Sequence, residues 1–173
     1  VHSMKDMPSY LPEGLKFAHS PRREDPRDAL IFREGYKTLE DLPQGAKIGT
    51  GSKRRKYQLL KHRPDLEIVP IRGNIETRIK KIETENLDGV VLAASGLRRA
   101  GLEEKIDYYI PTDIMLPAPA QGILALEIRE DDKETEKIID SIKDNITKVQ
   151  IDAERGFLIG VNGSCHIPMG AYC

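Results

Sequence analysis

Apolar positions in this chain fall into short runs separated by segments with helical spacing. The run at 46–48 leads into Gly49-Thr50-Gly51-Ser52-Lys53-Arg54-Arg55-Lys56, and Tyr57, Leu59 and Leu60 follow. This pattern predicts a strand over 46–49, a glycine-rich turn and a helix over 52–62. The stretch 66–71 is β-rich and ends at Arg72-Gly73-Asn74. Ile75, Ile79 and Ile82 then recur on one face of a helix predicted over 75–85. The near-continuous apolar run 88–94 reads as a buried strand, followed by a short helix over 95–102 closed by glycine. Further strands are expected at 15–18, 29–32 and 123–128, and a polar helix at 131–142. A last helix over 146–161 has Val149, Ala153, Phe157 and Val161 as its apolar series. Strand and helix alternate as in an open α/β sheet. The charged, proline-containing segment 22–28 reads as a crossover between domains.

Open α/β sheets bind ligands at the carboxyl ends of their strands, which makes the placement of cations informative. Arg54, Arg55, Arg72, Arg78, Arg98 and Arg99 all fall just after predicted strand ends. Arginine offers a planar fork that pairs bidentately with carboxylates. Arg98 and Arg99 are adjacent and diverge on a helix, so at least one of them is solvated or held in a structural ion pair. Residues 49–56 place free N–H groups, a helix dipole and four cations together. They suit an anion with several carboxylates or phosphates, against the alternative of a solvated basic helix start. Net charge is −1, there is no Trp and only 5% of residues are aromatic, which argues against nucleic acid as the partner.

With 173 residues, 39% of them hydrophobic and 32% charged, the chain suits one large or two small globular domains. No apolar run approaches membrane-spanning length and no leader is visible. The two cysteines, Cys165 and Cys173, argue against a disulfide framework, no zinc spacing is present, and a reducing cytoplasm fits best. The start at Val1 and the stop at Cys173 read as a piece of something longer. Ser3, Lys5 and Asp6 bring a hydroxyl, a cation and a carboxylate into one loop, which is either polar surface or a site. Cys165, in Gly163-Ser164-Cys165-His166-Ile167-Pro168, is either a buried structural thiol or an exposed one at a tight turn.

Seven stretches resemble the porphobilinogen deaminase (hydroxymethylbilane synthase) family, in order and with similar spacing. They are His2-Ser3-Met4-Lys5-Asp6-Met7-Pro8, Arg23-Glu24-Asp25-Pro26-Arg27-Asp28, the Gly49 to Arg55 turn, Arg72-Gly73-Asn74 through Arg78, Ala94 through Leu102, Pro117-Ala118-Pro119-Ala120-Gln121-Gly122, and the Cys165 turn. The resemblance implies head-to-tail condensation of four porphobilinogen molecules, with ammonia lost at each step. It implies a dipyrromethane cofactor joined by a thioether to Cys165, and Asp6 as the catalytic carboxylate. Ser3, Lys5, Asp6, Thr50, Ser52, Arg54 and Arg55 match cofactor-binding positions. Arg72, Arg78 and Arg99 match substrate-binding positions. No metal is implied, the small-molecule substrate is porphobilinogen, and the complete protein is expected to be a cytoplasmic monomer away from membranes.

The fold implied is α/β, an open mixed sheet flanked by helices in a periplasmic-binding-protein-like second domain. A partial first domain and the start of an α+β third domain accompany it. Residues 1–24 and 119–143 would belong to the first domain, 25–118 to the second and 144–173 to the third. The N-terminal part of the first domain and most of the third are missing on this reading, so the 173 residues alone are expected to be inactive and to expose apolar edges. Gly51 departs from the family, which often has serine there, and Lys53 replaces a commonly apolar residue. The alternative to the enzyme is a non-catalytic module for small anions, of the two-lobed binding-protein type.

Overall fold

All five residues of strand β3 (Asp28–Phe32) are buried, so both of its faces are covered. The computed structural model describes residues 1–162 and 167–173. The chain divides into a unit of Arg27–Leu116 and a unit that joins Val1–Pro26 to Pro117–Cys173.

In the 27–116 unit, β3 joins β4 (Lys47–Gly49), β5 (Glu67–Val69), β6 (Gly89–Ala93) and β7 (Tyr108–Tyr109) in a five-stranded sheet ordered β5-β4-β6-β3-β7. β4 runs parallel to β5 and β6, whereas β3 runs antiparallel to β6 and β7. Asp28 lies opposite Ala93 and Leu30 opposite Val91. Side chains alternate across the sheet. Leu30 and Phe32 join Ile48, Val91, Ile110 and Met115 on one face, whereas Ala29 and Ile31 join Ile71, Val90 and Leu92 on the other. Leu59 of helix α1 (Lys53–His62) packs into the first cluster. Ile82 of α2 (Ile75–Thr84) and Leu97 of α3 (Ala94–Arg99) pack into the second. Each such side chain taken fully from water contributes about 1.5–3 kcal/mol. The open mixed sheet flanked by helices is the one the sequence predicts, and β7 is a short edge strand it does not.

In the other unit, β1 (His2–Ser3) pairs antiparallel with β8 (Leu124–Ala125), and β2 (Leu15–Phe17) with β9 (Glu127–Arg129). The single strand predicted over 123–128 is therefore broken at Leu126, because its two halves have different partners. Met4, Ala120, Ile123 and Ala125 form the core here, with Phe17 and Ile151 against it. The polar helix shortens to α4 (Lys133–Ile139), capped by Asp132 and followed by a 3-10 turn over 140–142.

Helix α5 (Asn145–Gly160) starts where Asp144 accepts the Thr147 N–H. Its apolar series does not face inward. Val149, Phe157 and Val161 are exposed, and the buried positions are Thr147, Glu154, Arg155 and Leu158. The inward face mixes Leu158 with polar groups that satisfy partners. Glu154 receives Arg23, and Arg155 donates to the carbonyls of Pro8 and Ser9. Among the described residues no helix is long and apolar enough to cross a membrane.

Candidate functional site

β4, β5 and β6 are parallel, so their carboxyl ends lie along one edge of the sheet, and after each the chain turns into a helix. These turns touch one another. The Thr50 N–H donates to Val69 O at 2.9 Å. A Cβ on Gly51 would stand 2.6 Å from Ile71 O, so only glycine passes there without a shift of backbone. A Cβ on Gly96 of α3 would lie 3.3 Å from Ile75 Cδ1 at the start of α2. Thr50 Oγ1 accepts the Ser52 N–H, and Ser52 Oγ accepts the Arg55 N–H as the cap of α1. Both hydroxyls act as acceptors in these contacts, and each still carries its own proton to give.

Beneath the first turn of α1 lies a buried charge cluster. Arg54 and Arg55 are each 6% exposed and Asp28 is fully buried. Arg55 donates from Nε (3.0 Å) and Nη2 (2.8 Å) to Asp28 Oδ1, and from Nη1 to Val91 O at 3.0 Å. Arg54 Nη1 lies 2.7 Å from Asp28 Oδ2 and donates to Leu116 O at 2.7 Å. Burial pushes the Arg54 pKa below its ordinary value, Asp28 opposes that, and repulsion from Arg55 adds to it. Arg78 is half-buried and donates from Nε to Gly73 O at 2.7 Å. Its pKa is also lowered, first by burial and then by repulsion from Arg55. One carboxylate thus faces two buried guanidiniums, with a third close enough to be repelled. Charge of this kind, poorly screened by water, favours an anion.

The remaining arginines differ. Arg72 and Arg99 are exposed at the ends of β5 and α3. Arg98 Nε lies 3.3 Å from a Glu103 carboxylate oxygen, the structural pairing expected of one of the two neighbours. The structure brings Thr50, Ser52, Arg54, Arg55 and Arg78 together. It turns Arg55 inward, onto Asp28 and the sheet.

In the other unit, Ser3 ends β1 and residues Met4–Asp6 make a 3-10 turn. Met4 is 1% exposed, and its N–H donates to Ile123 O at 2.9 Å, which anchors the turn. Lys5 Nζ donates to Gln121 Oε1 at 3.2 Å, and Gln121, fully buried, donates from Nε2 to Pro26 O at 2.7 Å. Asp6 is exposed. Cys165 lies outside the described residues. Cys173 is an exposed free thiol. Among the described residues no cluster of His, Cys, Asp or Glu could hold a metal ion.

Residues 1–137 match the family model described as porphobilinogen deaminase, dipyromethane cofactor binding domain. The chain belongs to the porphobilinogen deaminase family. Over all of its length it is 70% identical to a porphobilinogen deaminase of Clostridioides difficile (strain 630) and 61% identical to one of Clostridium novyi (strain NT). It spans 58% and 59% of those two relatives. A crystal structure of a putative methionine-binding lipoprotein from Bacillus subtilis shares the fold, with a TM-score of 0.50 and 13% identity over 83% of this chain and 67% of that one.

Two residues of these networks, Asp28 and Gln121, stand in family-like stretches of the sequence but were given no site role there. Asp28 had a signal, a lone acid at the head of the apolar run 29–32. Gln121 had none beyond its place in the family-like Ala120-Gln121-Gly122 turn.

Proposed function

We propose that this chain is the part of a porphobilinogen deaminase that grips the carboxylates of the dipyrromethane cofactor and of the growing polypyrrole. The complete enzyme would link four porphobilinogen molecules head to tail, release ammonia at each step and yield hydroxymethylbilane in the cytoplasm. The observation that carries this reading is the buried excess of guanidinium over carboxylate at the carboxyl ends of parallel strands. Each porphobilinogen adds two carboxylates, and only fixed cations can hold the accumulating charge against its own repulsion.

The donor set fits the cofactor. Ser52 and Thr50 offer hydroxyl protons, and Arg54 brings a guanidinium to the same turn. Arg55 adds charge from behind it. Ser3 and Lys5 are assigned to the same group, and Cys165 is assigned as its thioether anchor. When bound, the cofactor supplies the pyrrole carbon on which the chain grows. Arg72, Arg78 and Arg99 are assigned to incoming substrate carboxylates. Asp6, on a turn anchored by Met4, is the carboxylate assigned to stabilise positive charge as ammonia departs. Residues 25–118 are assigned to the second domain, 1–24 and 119–143 to the first, and 144–173 to the third. The division of the chain at Pro26 and Pro117 supports the boundaries near those residues.

The test is a chimera in which these residues replace their counterparts in the Clostridioides difficile relative. It should consume porphobilinogen and carry covalent pyrrole by intact mass, and Cys165→Ser should remove that mass. A folded chimera with neither turnover nor added mass refutes the reading. Turnover by the 173 residues alone refutes the expectation that they are inactive.

A further inference from the structure

Two guanidiniums buried side by side repel one another, and each has given up solvation. Asp28 meets both, but unequally. Arg55 spends Nε and Nη2 on a single oxygen, Oδ1, and Nη1 on the Val91 carbonyl, so its fork ends in the interior. Arg54 brings Nη1 to Asp28 Oδ2 at 2.7 Å, and the same nitrogen donates to Leu116 O. Asp28 itself cannot drift, because it is the first residue of β3 and is held in register opposite Ala93.

We propose that Asp28 is a positioning residue for carboxylate recognition. It ties Arg55 into the scaffold and steadies Arg54 by one nitrogen, leaving the rest of that guanidinium for an incoming carboxylate. The inference rests on the reading that this edge of the sheet takes pyrrole carboxylates. It also separates two adjacent arginines that the sequence treats alike: Arg54 recognises, and Arg55 supports.

Charge and position predict opposite results. Removing the negative charge of Asp28 raises the local positive potential, which by itself tightens anion binding. Loss of positioning weakens it. The experiment titrates porphobilinogen into the full 173-residue chain by calorimetry for wild type, Asp28→Asn and Asp28→Glu. In parallel, phenylglyoxal labelling without ligand, read by peptide mass, reports how firmly Arg54 is held. Asp28→Asn should bind at least about tenfold more weakly, the scale of one hydrogen bond to a charged group lost from the carboxylate. Asp28→Glu keeps the charge but moves the carboxylate by one methylene, and it should also bind several-fold more weakly. Labelling of Arg54 should rise several-fold in both. If Asp28→Asn does not fold, Asp28→Glu carries the test.

Tighter binding by Asp28→Asn with unchanged labelling overturns the proposal. So does an Asp28→Glu chain equal to wild type in both measurements. If the wild-type chain binds no porphobilinogen, the carboxylate reading fails, and labelling alone judges the hold of Asp28 on Arg54. Unchanged labelling then overturns that as well, and increased labelling upholds it.

Discussion

Glu154 offers the sharpest stability test in the chain. It is 2% exposed, on the inward face of α5, and four donors converge on it. Arg23 reaches its two oxygens from Nη1 at 2.6 Å and Nη2 at 3.0 Å. The N–H groups of Ala120 and Cys173 donate at 2.6 and 2.9 Å. Ala120 has a φ of +60°, a left-handed conformation unusual for alanine, and its amide is fixed there by this carboxylate. Arg23 also stacks over Tyr172 and donates from Nε to Gln121 O. Glu154→Ala strips a buried guanidinium of its partner, which costs about 3–5 kcal/mol. Each amide left without an acceptor adds about 1–3 kcal/mol, less where water enters the space. A total of at least about 5 kcal/mol is expected for this unit where the space stays dry. The double change Arg23→Met with Glu154→Met should be milder than the sum of the single changes by at least about 2 kcal/mol, because neither partner is then stranded. Urea denaturation followed by circular dichroism measures the loss. Hydrogen exchange locates it, with faster exchange at 117–122 and along α5 and none within 27–116. A Glu154→Ala loss under about 1 kcal/mol, the scale of an exposed ion pair, would refute the reasoning.

Gly122 has a φ of +88°, and a Cβ there would stand 2.5 Å from Glu24 O, so Gly122→Ala should destabilise by about 2 kcal/mol or more in the same denaturation assay. Asp144 caps α5, and the Thr147 N–H, then the Thr147 hydroxyl, hold its carboxyl below the ordinary 3.8. The folded value lies below the unfolded one, so its stabilisation is present above 3.8 and is lost as pH falls through the folded value. Asp144→Asn, which keeps an acceptor oxygen, should flatten the fall of helicity with pH in that window; an unchanged acid profile would remove Asp144 as its source. In the chimera, Asp6→Asn should lower kcat far more than it raises KM, and Asp6→Glu should do less harm. Equal losses from the two changes would argue against a placed carboxylate.

What was legible in the sequence was local. Ser52, a basic first turn and an apolar run before it placed α1 and its start almost to the residue. β3 and β6 were legible as near-continuous apolar runs, the pattern of strands covered on both faces. α5 misled because periodicity assumes that the inward face is the apolar one. Here Glu154 faces inward and its partner, Arg23, is 131 residues away, a pairing no local pattern can carry. The strand at 123–128 failed for a related reason, since its two halves answer to partners at opposite ends of the first seventeen residues.

The arginines make the same point within the site. Helix geometry separates consecutive side chains, so Arg54 and Arg55 should diverge. They converge, because Asp28 lies under the first turn of α1 and takes one on each oxygen. A buried acid beside a row of cations does not merely neutralise them. It decides which one remains to meet a ligand, and that selection depends on where β3 begins, not on the basic motif itself.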